Sequence, residues 1–376
     1  MIEVIKYDPS EMDLFHVQEI RDFLISKEIE FIEDEEIFGL FHVNDKTCQL
    51  RYVNSYFHPI DNSRRFGDIC KGIPQTYFSE ISHINADNGI RTIWIFDFEM
   101  EQTNDALVNG EIVQNFRRQW EVIKNTICTA CGRIDKRIYA RDTEAREITN
   151  TYARPFLEAN CFYGYRSATK TVGLFLKKDK KGLKAGTLLM VYSFGANFYG
   201  NKKFQDNPKI EIIRVSTLLG CQVIGGMSKC LKHFLQENPT MEVGGRTVSA
   251  DKYIFYVDAS HNDARGMKAD GLGFNFVSWD KQGGFMNRWT CDHEEVVIKD
   301  DKKITLKGKR GEIFHRKPLF HKEIMRLIGE GKIVSIGNAG TIVFEMTREE
   351  YLSRFEDTKD IIENNNNNIN KTDNNG

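Results

Sequence analysis

Apolar residues recur at helical spacing through residues 11–31, EMDLFHVQEIRDFLISKEIEF, where Leu14, Val17, Ile20, Phe23 and Leu24 share one face. That pattern predicts an amphipathic helix. The runs EEIFGLFHV and CQLRYVNSYFH are short, rich in β-branched and aromatic residues, and flank Asn44–Asp45, so they predict two strands joined by a turn. Residues 89–100, GIRTIWIFDFEM, form a continuous apolar run that predicts a buried strand carrying Asp97 and Glu99. GEIVQNFRRQWEVIKNTI (110–127) predicts a helix, and KRIYARDTEAREI predicts a strand beyond a boundary near 132–136.

From there the pattern predicts helix NTYARPFLEANC, then strands TKTVGLFLKK, GTLLMVYSFG and PKIEIIRVSTLLG. A helix follows from Gly226 to about Glu237, then strand KYIFYVDAS, a short helix near Asp263–Ala269, and strands GFNFVSWD and MNRWTC. Three antiparallel strands feeding a Gly-Gly turn and a strand–helix–strand suit an α+β chain with α/β features around one mixed sheet. The terminal IIENNNNNINKTDNNG is Asn-rich without an apolar period and predicts a disordered tail.

Composition narrows the class. A chain of 376 residues fits two domains with an appendage, and 40% hydrophobic content with 11% aromatic residues supports real cores. The formal net charge of −2 carries no overall nucleic-acid signature, but the charge is uneven. Residues 1–50 hold 13 Asp/Glu against 4 Lys/Arg, whereas residues 299–322 hold 9 Lys/Arg against 3 Asp/Glu. The basic segment is either a solvated face or a surface that touches phosphate through Lys307, Lys309, Arg310, Arg316 and Lys317. No apolar segment follows Met1 and no apolar run approaches membrane length, so the expectation is a cytoplasmic protein without a membrane partner. Eight cysteines without regular spacing suit a reducing compartment. The one Cys-x-x-Cys, Cys128 to Cys131, lacks a second pair or a nearby His, so no metal is expected.

The stretch CQVIGGMSKCLKHF (221–234) sets two glycines between a strand and a helix. A helix start exposes unpaired N–H groups and a positive dipole end, and glycine lets a pyrophosphate come close. An ordinary strand-to-helix turn reads the same way. Neither a Walker loop nor G-x-G-x-x-G is present. The segment resembles the acetyl-CoA-binding turn of the GNAT-type N-acetyltransferase fold, with pattern [RQ]-x-x-G-x-[GA]. Gln222, Gly225 and Gly226 match its first elements, and Met227 stands where a small residue is expected.

The resemblance widens over residues 11–346. IYARDTEAREITNTYARPFLEANCFYGY, VYSFGANF, IEIIRVSTLLGCQVIGGMSKCLKHF, GLGF and SIGNAGTIVFEM occur in one order. In that order the chain is similar to phage-encoded two-domain proteins, often called homing endonucleases. These join a Vsr-like, restriction-endonuclease-type N-terminal domain to a C-terminal domain akin to Mom-type DNA-modification proteins. The resemblance implies a nuclease-like mixed-sheet domain over 1–133, a GNAT-like mixed-sheet domain over 134–298, a basic extension over 299–358 packing on it, and a disordered tail over 359–376.

The first domain departs from the family where metal chemistry needs carboxylates. The metal-binding Glu of the family falls on Arg51, the preceding Asp falls among Phe38, Gly39 and Leu40, and a later Tyr-His pair reads Tyr77-Phe78. His58 survives. Nuclease activity by that route is therefore not expected. In the second domain the resemblance implies cofactor contacts from Gln222, Gly225, Gly226, Ser228, Lys229 and Arg214, with acetyl-CoA or another acyl-CoA as cofactor. Asp258, His261 and Asp263, in VDASHNDARG at a strand end, are the candidate acid–base groups. The Tyr that acetyltransferases often place before LGF is missing, since that place reads MKADGLGF. The expected function is acyl transfer to a nucleic-acid base amine, DNA being the expected partner. The alternatives are a binding protein built on two degenerate enzyme folds, and an active homing-type endonuclease.

Overall fold

The computed structural model describes residues 8–55, 72–108, 110–196, 209–243, 246–262, 272–280, 285–299, 302–314 and 321–354. The expected helix near Asp263–Ala269 and the Asn-rich tail lie outside them, as do His58, Asp263, Arg316 and Lys317. Helix α1 (Glu11–Ser26) opens on a reciprocal cap: the Asp13 N–H donates to the Ser10 hydroxyl at 3.3 Å and the Ser10 N–H donates to the Asp13 carboxylate at 2.9 Å. Val17, Ile20 and Leu24 form its buried stripe, whereas Leu14 is left 53% exposed. The helix ends before Phe31 because that residue begins strand β1 (Phe31–Glu33).

Strands β2 (Leu40–Val43) and β3 (Cys48–Val53) follow as expected, their turn holding Asn44, Asp45 and Lys46 at positive φ. Helix α2 (Tyr77–Asp87) leads to β4 (Arg91–Phe96), which pairs in parallel with β3 and completes a sheet of order β1-β2-β3-β4. Two expectations need correction. Asp97 and Glu99 are not on the strand: the chain turns into the short helix α3 (Asp97–Glu101), where Glu99 accepts from the Phe96 N–H at 3.0 Å. The helix expected over 110–127 starts only at Arg118. Before it, β5 (Asn104–Val108) and β6 (Glu111–Phe116) form a hairpin, and α4 covers Arg118–Ala130. Trp120, Ile123 and Ile127 of α4 join α1 and the first sheet in one apolar cluster.

Beyond a short parallel pairing of β7 (Lys136–Tyr139) with β12 (Cys221–Ile224), and apart from a hairpin of β13 (Thr240–Val243) and β14 (Arg246–Ser249), stands a seven-stranded mixed sheet. In chain order it comprises β8 (Thr143–Glu147), β9 (Lys170–Leu176), β10 (Leu188–Ala196), β11 (Ile210–Thr217), β15 (Lys252–Asp258), β16 (Asn275–Trp279) and β21 (Thr341–Thr347). In space the order is β16-β21-β15-β11-β10-β9-β8. Helix α5 (Asn150–Asn160) buries Ala153 and Leu157 against Val191, while α6 (Gly226–Glu237) buries Cys230, Leu231, Phe234 and Leu235 with Met190, Tyr192 and Phe194. Period-two alternation along β10 thus sends neighbouring residues to helices on opposite faces. The chain is α+β, built on mixed sheets.

The main core runs through both sheets: Phe78, Trp94, Phe96 and Phe98 belong to the same cluster as Phe194, Phe234, Ile336 and Phe344. Between β16 and β21 the chain adds β17 (Phe285–Trp289), β18 (His293–Lys299), β19 (Lys302–Gly308), helix α7 (His321–Gly329) and β20 (Ile333–Gly337). Trp289, Leu306, Phe314, Ile324, Leu327 and Ile333 give this insertion a core of its own. A division at 298/299 falls inside the β18–β19 hairpin, and β21 lies inside the large sheet.

Candidate active site

Among the described strands of the seven-stranded sheet, only β11 and β15 run parallel. They pair at Ile210↔Tyr253, Glu211↔Ile254 and Ile212↔Phe255, and no further. A bulge follows at once: Phe194 faces Ile212 and Ser193 faces Arg214, leaving Ile213 extra. Beyond it, β11 stays with β10 while β15 stays with β21 to Asp258. The carboxyl ends of the parallel pair therefore part and leave a crevice.

Asp258 closes β15, and the Ser260 N–H donates to its Oδ1 at 2.8 Å, turning the chain so that His261 folds back. His261 Nδ1 lies 3.9 Å from Asp258 Oδ2, and its Nε2 lies 3.4 Å from Glu99 Oε2. The two predicted residues Asp258 and His261 are thus brought together. Burial opposes the imidazolium, but the charge and hydrogen bond of Glu99, with Asp258 behind them, outweigh it and raise the His261 pKa. The Tyr163 hydroxyl donates to Asp258 Oδ2, and its phenol is pushed well above its ordinary range by burial and by that carboxylate. Tyr163 reaches in from the loop after α5, where Gly164 has a φ of +64° and a Cβ would meet Arg118 and Glu158 at 2.9 Å. Arg288, 4% exposed, stacks its guanidinium 4.0 Å over the Phe98 ring; burial lowers its pKa against the pull of Glu99, Tyr163 and Asp258. Two carboxylates, one imidazole, one guanidinium and one phenol form a single cluster, the Tyr163 side of it 41% exposed. The space left among Phe96, Phe98, Phe162, Tyr163 and Met286 is about 10 Å³, room for one water.

Sequence reasoning missed Tyr163 and Arg288 and placed Glu99 elsewhere. The only signals were a Tyr-Gly pair after a helix and an Arg within an apolar strand.

The Gly-Gly turn lies over strands β8 to β10 of the same sheet. Met190 sits opposite Thr217 at the carboxyl end of β11, and a Cβ on Gly226 would come within 3.1 Å of the Met190 sulfur and 2.7 Å of Val223. Gly226 is therefore glycine because the core leaves no room. Gly225 has a φ of +74°, which favours glycine for a different reason, and it is exposed. No described side chain caps α6, so the first-turn N–H groups of Gly226, Met227 and Ser228 have no helical partner. Met227 packs against the core rather than standing over the helix start. The cations are already engaged: Lys229 donates to the carbonyls of Ala140 and Thr143, and Arg214 to those of Gly164 and Ile213. Gln222 pairs with Arg137 in the β12–β7 ladder. Any fit to a pyrophosphate rests on the backbone donors of α6, not on these side chains.

A second polar site lies in the first unit. A cavity of about 450 Å³ is lined by Asp13, Asp97, Glu101, His16, Tyr52, Asn54 and Arg310. The Tyr52 hydroxyl donates to Asp13 at 2.8 Å, so His16 Nδ1, 3.0 Å away, must donate to it; Nε2 then faces Glu101 at 3.4 Å as an acceptor. That arrangement calls for a protonated Glu101, and burial does push its carboxyl up to about 7 against Arg310. Asp97, accepting from Ser55 at 2.9 Å, is raised by burial to about 6. Hydrogen bonds from Ser10, Asn54 and Tyr52 outweigh burial at Asp13 and lower its pKa. Arg51 lies on the other face of β3, held by Gln49 at 2.9 Å and by the Trp94 ring. No group of three or more His, Cys, Asp or Glu among the described residues has the arrangement to hold a metal.

Of the predicted phosphate contacts, Lys307 is 70% exposed and pairs with Glu294 at 3.0 Å, Lys309 is exposed, and Arg310 turns inward to Glu101 and Asp97. No described helix is long and apolar enough to cross a membrane. No protein-family model matches the chain, and none of the curated proteins is significantly similar to it.

Proposed function

We propose that the second unit is a GNAT-type N-acyltransferase that uses an acyl-CoA to modify an amine of a nucleic-acid base. One observation carries this reading. The single parallel pair of the large sheet parts after three residues with the Asp258–Tyr163–His261 set at the gap, and the uncapped start of α6 stands over β8 and β10 of the same sheet. Sheets that contain parallel strands bind ligands at such partings, beyond the strands' carboxyl ends. The N–H groups of Gly226, Met227 and Ser228 would hold the pyrophosphate. A bound acyl thioester would supply an activated carbonyl and a sulfur leaving group. Asp258 is placed to take the proton of an amine, Tyr163 remains protonated and can give one, and the hydrogen bond between them returns it. Exposed Lys307 and Lys309 would help to hold the nucleic acid.

A second reading, a binding protein on two degenerate enzyme folds, is favoured by the way Tyr163 fills the crevice. Thermal-shift measurements with acetyl-CoA and CoA separate the two. The transferase reading expects stabilisation of roughly 2.7 kcal/mol at a hundredfold excess over the dissociation constant. Ser228→Asp should abolish that shift, because a carboxylate in the first turn repels phosphate while favouring the helix dipole and sparing the fold. If neither ligand shifts the wild-type chain at millimolar concentration, the transferase reading fails and the binding reading stands.

A further inference from the structure

We propose that Glu99, a residue of the first unit, is the positioning residue for His261, so that the acid–base site of the second unit is completed by the first. The inference rests on the transferase reading for its purpose but not for its test.

His261 hangs on a loop that the first sheet holds. The Trp94 N–H donates to the Ser260 carbonyl at 2.8 Å and Arg91 Nη2 to the His261 carbonyl at 3.1 Å, so β4 grips both residues that follow Ala259. Ring orientation is then set by what each nitrogen meets. Nε2 meets Glu99 Oε2 at 3.4 Å, whereas Nδ1 meets only the more distant Asp258 Oδ2 at 3.9 Å. Phe162 covers one side of the imidazole, with ring centroids 4.4 Å apart.

Glu99 is a rigid partner. Its side chain is 4% exposed and the same Oε2 accepts from the Phe96 N–H at 3.0 Å, at the start of α3. The other charged groups bearing on the imidazole are Asp258 from β15 and Arg91 from β4, while Arg288 from β17 balances Glu99 and Asp258. None of these but Glu99 offers an acceptor to Nε2. Fixing Nε2 turns Nδ1 toward the carboxylate oxygen that also accepts from Tyr163. Glu99 therefore acts through His261.

The test is a histidine titration by nuclear magnetic resonance on the full chain, with the His261 signal identified by its loss in His261→Gln. Glu99→Gln keeps an acceptor for Phe96 and for Nε2 but removes the charge. The His261 midpoint should fall by about one pH unit, as expected for losing an opposite charge at this range. In the wild type, the neutral ring should carry its proton on Nε2. An unmoved midpoint, or a wild-type neutral ring protonated on Nδ1, would overturn the proposal. The tautomer measurement needs no variant, so it decides the matter even if Glu99→Gln does not fold. Absence of acyl transfer by the wild type would sink the transferase reading while leaving the titration to judge Glu99.

Discussion

Two polar sites share one turn of helix. Asp97 and Glu101, four residues apart on α3, face the cavity of the first unit, and Glu99 between them faces the crevice of the second. The sites differ in how charge is met. The crevice cluster sets Glu99 and Asp258 against His261 and Arg288 and leaves about 10 Å³ of free space. The cavity is roomy, about 450 Å³, and sets three carboxyls against Arg310 and a His16 that burial holds toward its neutral form. In the crevice the carboxylates raise the histidine; in the cavity burial carries Glu101 and Asp97 toward neutrality against a single arginine.

The largest effect that separates them should come from their two arginines. Arg288→Met removes the buried cation that offsets Glu99 and Asp258 and leaves the Gly311 carbonyl without its donor, and should cost about 3–5 kcal/mol in urea unfolding. Arg310→Met removes one that is 38% exposed and should cost about 1 kcal/mol or less. Equal losses would break the comparison.

A smaller effect should appear with pH. Folding raises Glu101 from 4.5 to about 7, so its contribution is complete below pH 4.5 and disappears as pH rises through 7. Asp97, raised to about 6, acts in the same sense, while His16, depressed by burial, acts in the opposite one. Stability should therefore decline from pH 5 to pH 8. Glu101→Gln should remove a part of that decline on the order of 2–3 kcal/mol. A slope left as steep by the variant would mean that Glu101 is ionised in the fold.

The smallest stability effect belongs to the exposed lysines. Lys307→Ala with Lys309→Ala should change unfolding by less than about 0.5 kcal/mol. The same change should flatten the log–log salt dependence of nucleic-acid binding by about 0.9 for each phosphate no longer neutralised. An unaltered salt slope would reduce the β19 end to a solvated face.

Much of the fold was legible because its elements are two-sided. The stripe Val17, Ile20 and Leu24 and the alternation along β10 report burial directly. Strand β6 was misread because it packs against little: Ile112 is 76% exposed, so its apolar positions mark no buried face. Asp97 and Glu99 were assigned to a strand because the apolar run continues through Phe98, while the change to helix depends on Glu99 meeting the Phe96 N–H. The site was half legible. Asp258 and His261 are three residues apart and share a turn, which sequence can display. Tyr163, Glu99 and Arg288 come from distant segments that only packing unites, and no spacing encodes that.

The position of β21 bears on how such a chain is made. Residues 341–347 fill the slot between β15 and β16, so during synthesis β15 presents an unpaired edge until almost the whole described chain has emerged. A central strand supplied this late means that the large sheet is completed only after the β17–β20 insertion that precedes it has been made. Until then its hydrogen-bonding edge is open to other nascent chains.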